Sequence, residues 1–141
     1  MSYEILGNNG GYWSCNQRGW PAYLKVATAF GWAPDGAFFK DDEVGFGPHP
    51  SGSYLGNDRQ LVTDEDARAF GAALRLALTT ADLGLPMTVD QKDALANFRG
   101  QRTCELPWEA DFHKRSAADF YNLSAMRALA DVVSDGGFMI A

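Results

Sequence analysis

The sequence predicts an α+β domain in which three to four helices pack on a small antiparallel sheet. Three observations carry that prediction. First, a chain of 141 residues, 46% hydrophobic and 13% aromatic, can bury a core without a metal or disulfide staple. It suits one compact domain covering residues 1–141. Second, apolar residues recur at helical spacing in several segments that carry start and stop signals. Third, short strand candidates lie at both ends and in the middle, without the strand–helix alternation of a parallel sheet.

Residues 2–6, SYEIL, predict a short strand, and GNNGG after them predicts a turn, because Gly and Asn tolerate positive φ. A helix follows from Pro21 to Phe30. Proline suits the first helical position, and Trp20, Leu24, Ala27 and Phe30 make one stripe. Gly31 stops this helix and Pro34 prevents its resumption. Ala37–Lys40 and RQLV (residues 59–62) predict two strands of a hairpin, with GFGPHPSGS in the long loop between them.

The best-marked helix starts after Val62. Thr63 is its N-cap, and Asp64, Glu65 and Asp66 occupy the first turn, where the helix dipole favours negative charge. Phe70, Leu74, Ala77, Leu78 and Ala81 form its apolar face, and Gly84 with Pro86 ends it. Thr88 with Gln91 is a capping-box pattern opening another helix, with Leu95 and Phe98 on its apolar side toward Gly100. Ser116 with Asp119 caps a last helix, striped by Phe120, Leu123, Met126, Ala130 and Val133, with a break expected at Asn122. FMIA, after a Gly-Gly turn, predicts a final strand beside SYEIL, so that the N- and C-terminal strands are adjacent.

Charge narrows the function classes. The net charge is −6, and residues 35–66 supply all of it: eight acids against Lys40 and Arg59. Such a surface repels phosphate backbones, so nucleic acid is not an expected partner. No apolar run approaches the ~18 residues of a membrane span, and the N-terminal residues lack a signal-type pattern, so no membrane association is expected. Cys15 and Cys104 do not make a disulfide framework, which places the protein in a reducing cytoplasm.

Common chemistries find little support. Cys15 with His49 or His113 lacks a surrounding nucleophile signature, and the serines lack a GxSxG elbow. Cys15, His49, Cys104 and His113 form a zinc-compatible set; none is paired at ligand spacing, so a scattered zinc site stands only as a further alternative. GNNGG is not followed by Lys-Ser/Thr, and DDEVGFGPHPSG lacks EF-hand spacing. Nothing singles out a carboxylate pair for acid–base work; Glu109 and Asp111 beside Trp108 are the candidates. The expectation is therefore no catalytic residue, no metal ligand and no cofactor.

Aromatic and amide chemistry remains. Trp13, Asn16, Tyr54, Asn57 and Asp58 offer contact area and two-way hydrogen bonds, and the acids Asp41, Asp42 and Glu43 would steer a basic partner. Trp20 and Trp32 flank a helix and are expected in the core. An alternative is an enzyme or small-ligand pocket between residues 8–20 and 54–59, joining Asn16, Tyr54, Asp58 and His49.

The order GWAPDG, YLGNDRQLVTDEDA and GGF, behind an aromatic, Asn-containing N-terminal segment, resembles a family of small bacterial proteins of similar length with no assigned function. The resemblance implies that these segments belong to one scaffold, and it implies no catalytic residue. The sequence thus predicts a small, acidic, cytosolic protein-binding module of the immunity or inhibitor type.

Overall fold

The C-terminal residues Phe138–Ile140 run through the middle of the sheet. The computed structural model describes residues 2–16, 19–41, 45–46, 53–56, 59–100 and 116–141. Among them, six strands form one sheet: β1 (Ser2–Gly7), β2 (Tyr12–Asn16), β3 (Phe38–Asp41), β4 (Gly45–Phe46), β5 (Gln60–Val62) and β6 (Phe138–Ile140). Their order is β2-β1-β6-β5-β3-β4, and every pairing is antiparallel. Four helices accompany them: α1 (Gly19–Ala29), α2 (Asp64–Leu83), α3 (Val89–Gly100) and α4 (Ser116–Ser134). The α+β class stands as expected, and so does the adjacency of the terminal strands. Ile5 faces Ile140 across β1 and β6, and Glu4 and Ala141 exchange backbone hydrogen bonds of 2.9 and 2.8 Å.

Local chemistry sets the helix ends. Thr63 Oγ1 accepts from the Asp66 N–H at 3.2 Å, and Gly84 closes α2 at φ 62°, a left-handed position that costs glycine little. Thr88 and Gln91 form the reciprocal capping box, with side-chain-to-backbone distances of 3.0 and 3.1 Å. No break occurs at Asn122, because α4 is continuous from Ser116 to Ser134. One asparagine costs a helix only a fraction of a kcal/mol, roughly 0.7 at most, which tertiary packing outweighs. The Ser116–Asp119 cap involves side chains outside the described residues.

The sheet has two unlike faces. Tyr3, Ile5, Trp13, Val62, Phe138 and Ile140 point into the core and meet the buried sides of the helices. Trp20 is fully buried there, with ring centroids 6.1 Å from Tyr3, 6.2 Å from Trp13 and 5.9 Å from Phe70. Close approach of α4 requires small residues: a Cβ on Gly11 would lie 3.1 Å from Val132 Cγ1.

The GNNGG turn fastens the two ends of the chain together. The Asn8 N–H donates to Gly137 O at 2.9 Å, and Asn9 Nδ2 donates to Asp135 O at 2.8 Å. Asp64, in the first turn of α2, accepts from the Gly137 N–H at 2.6 Å. These asparagines are therefore engaged in structure. Among the described residues, no helix is long and apolar enough to cross a membrane.

Candidate functional site

The segment Tyr12–Asn16, read from sequence as a contact surface, is the edge strand β2. Alternation sends Trp13 inward and Ser14 outward, opposite Ile5 and Glu4 of β1. Trp13 is only 7% exposed; its Nε1 donates to Ala125 O at 3.0 Å, and its ring meets Tyr23 edge-on at 4.9 Å. Tyr54 is only 6% exposed. Both were expected at the surface, and both instead belong to the core, because each large ring gains more from packing than from water. Of the other expected contact residues, Asn16 ends β2 and Asp41 ends β3. Asp42, Glu43, Asn57 and Asp58 lie outside the described residues, as do His49, Cys104 and His113.

Tyr54 is the centre of a buried polar network. Its hydroxyl donates to Asp66 Oδ2 at 2.5 Å and accepts from the Gly36 N–H at 2.7 Å. Its N–H donates to Gln60 Oε1 at 2.9 Å, and its carbonyl accepts from Trp20 Nε1 at 2.6 Å. Asp66 takes a further bond from Trp32 Nε1 at 2.8 Å. Asp66 and Gln60 are each 1% exposed, so this paired set is what makes their burial tolerable. Burial first, and the Asp66 carboxylate second, push the Tyr54 phenol well above its usual range and keep it a hydrogen-bond donor.

Tyr54 also sits at φ 65°, a conformation that costs a non-glycine residue about 1–2 kcal/mol. Glycine would suit that backbone better. The tyrosine is held there by its four bonded polar contacts, so the network clamps residues 53–56 onto the core. The Trp20 bond and a Tyr3 hydroxyl bond to Leu55 O also tie this loop to the N-terminal segment; residues 17, 18, 57 and 58, on which the expected pocket between the two would depend, lie outside the described residues.

A different surface emerges on the face of the sheet turned away from the core. Register places Tyr12 opposite Leu6, Leu6 opposite Met139, Met139 opposite Leu61 and Leu61 opposite Phe38. Directly opposed residues share a face, so these five side chains form one apolar row across five strands, about 19 Å long. Tyr12 is 59% exposed and the other four are partly buried. Beside the row lie exposed Glu4 and Ser14, and the Tyr12 hydroxyl donates to Glu4 Oε1 at 3.3 Å. Sequence reading missed the row because its members come from distant segments, and only strand register brings them together.

Two other surface features are simpler. A groove of about 550 Å³ between α1 and α3 is lined by Leu24, Lys25, Thr28, Thr88, Asp90 and Asp93, among others. Leu83, Leu85 and Val89 are exposed in and beside the α2–α3 connection. Among the described residues, no group of three or more His, Cys, Asp or Glu could hold a metal ion. Burial pushes the Cys15 thiol up to about 12, the opposite of an activated nucleophile. No protein-family model, curated protein or solved structure matches the chain.

Proposed function

We propose that the protein is a small, acidic, cytosolic protein-binding module of the immunity or inhibitor type. The observation that carries this reading is the apolar row Tyr12–Leu6–Met139–Leu61–Phe38 on the sheet face away from the core. Such a row offers a partner contact area on a rigid scaffold, where immobilisation costs little. Three positions beyond Phe38, about 10 Å along β3, the strand ends at Asp41, where the run Asp41, Asp42, Glu43 begins. The partner is accordingly apolar where it meets the row, and the acids act on its basic groups through longer-range attraction. The row supplies contact energy and the acids raise the rate of encounter.

Binding kinetics test the division of labour. Asp41, Asp42 and Glu43 changed together to Ser should slow association with the cognate partner and flatten its salt dependence, leaving dissociation nearly unchanged. Leu61→Glu should do the reverse, speeding dissociation. An unchanged association rate in the triple variant rejects the steering role, and an unchanged dissociation rate in Leu61→Glu rejects the docking face.

A further inference from the structure

The edge strand β2 has β1 on one side and no described strand on the other. Glu4 exchanges both backbone bonds with Ala141, so even-numbered residues of β1 face β6 and odd-numbered ones face β2. The bond from the Gly7 N–H to Gly11 O agrees. Trp13 and Cys15, opposite Ile5 and Tyr3, therefore use their backbone groups within the sheet. The N–H and C=O groups of Tyr12, Ser14 and Asn16 point outward along the open edge.

Edge strands are usually blunted by charge, by proline or by a bulge. YWSCN has no charged residue and no proline, and its register with β1 is unbroken over five residues. The charge of the whole chain makes the contrast sharper. Residues 1–34 carry +1, from Arg18 and Lys25 against Glu4, whereas the acids gather in residues 35–66, which furnish β3 to β5.

We infer that β2 pairs antiparallel with β2 of a second copy, joining two sheets into one. With Ser14 opposite Ser14 across a two-fold axis, Tyr12 faces Asn16 and all five positions overlap. Every outward donor then meets an outward acceptor. Repulsion between the two acidic copies does not oppose this arrangement. β3 lies four strand spacings, about 19 Å, from its own β2, and the two β3 strands lie about 43 Å apart in the pair. That is several times the ~8 Å screening length at physiological salt. The pairing itself does not cover the apolar row, and the two rows run on opposite sides of the two-fold axis across one continuous sheet. This inference does not depend on the docking role of that face.

The test is the oligomeric state of the full chain, measured by sedimentation equilibrium from about 5 to about 100 μM. The expected result is a reversible dimer. Ser14→Pro removes an outward N–H that bonds no described group of the protomer, and proline is tolerated at such edge positions. It should weaken dimerisation at least tenfold with the far-UV circular dichroism unchanged. Ser14→Lys, which puts like charges face to face at an exposed position, should do the same and serves if the proline perturbs folding. A wild-type chain that stays monomeric throughout overturns the inference. A dimer that persists in both variants overturns it too, since the copies would then meet elsewhere. Neither outcome bears on partner binding, which the face variants report separately.

Discussion

Tyr54→Phe probes the buried network most sharply, because it deletes one oxygen atom and little else. That oxygen donates to the Asp66 carboxylate at 2.5 Å and accepts from the Gly36 N–H at 2.7 Å. A hydrogen bond to a charged acceptor contributes about 1.5–3 kcal/mol net. Leaving the Gly36 N–H without its partner adds roughly 1 kcal/mol, the low end of the usual cost because Gly36 is only partly buried. The expected loss is thus about 3 kcal/mol, a large share of the roughly 5–15 kcal/mol that a domain has. Urea denaturation reads it directly. With a slope of about 2 kcal/mol/M, the midpoint falls by about 1.5 M. The companion variant Asp66→Asn and the double variant complete a cycle, whose coupling should exceed about 1 kcal/mol because the two side chains share a bond. A loss below about 0.5 kcal/mol, or strict additivity, would refute the claim that this network clamps residues 53–56.

Three further outcomes follow. Gly137→Ala would place a Cβ 2.5 Å from Val62 O and 2.9 Å from Asn8 Nδ2, so thermal unfolding should show a loss of about 2 kcal/mol from crowding at that corner; a neutral result would mean the corner yields easily. Cys15 is raised from 9.0 to about 12 by burial. Folding therefore holds its proton more tightly, and this contribution is intact below pH 9 and lost as the pH rises toward 12. Cys15→Ala should flatten the fall in stability across that window. In a Cys104→Ser background, the half-buried thiol should react with a disulfide reagent at pH 8 at least about tenfold more slowly than a free cysteine, and labelling as fast as that of a free cysteine would contradict the raised pKa.

Much of the fold was legible because its signals are local. Thr63, Gly84, Thr88 and Gln91 act within a few residues of their own positions, so capping rules found them. FMIA and SYEIL were short apolar runs bounded by glycines, and a strand pair at the termini followed. β2 was harder to see. YWSCN opens on two strand-favouring aromatics, and GNNGG before it has hairpin length, yet its tryptophan, cysteine and asparagine read equally well as a contact loop. Tyr54 was illegible as core, since its burial depends on Gly36, Gln60 and Asp66 and on a left-handed backbone that no local pattern announces. Asp66 shows the same limit. Its place in the first turn of α2 was clear, but the two bonds that permit its burial come from Trp32 and Tyr54. The candidate docking row is a product of register alone.

The central claim is that the sheet face carrying Met139 is the docking surface. The most direct measurement is the affinity for the stoichiometric partner captured from the organism that encodes the protein, compared across wild type, Met139→Glu and Val89→Glu. Met139 lies mid-row on β6, and Val89 lies at the start of α3, 72% exposed. The account predicts that Met139→Glu weakens binding at least a hundredfold, about 2.7 kcal/mol, while Val89→Glu leaves it unchanged. Unchanged affinity in Met139→Glu, with the loss falling on Val89→Glu, would contradict the account and move the docking surface to the helical side.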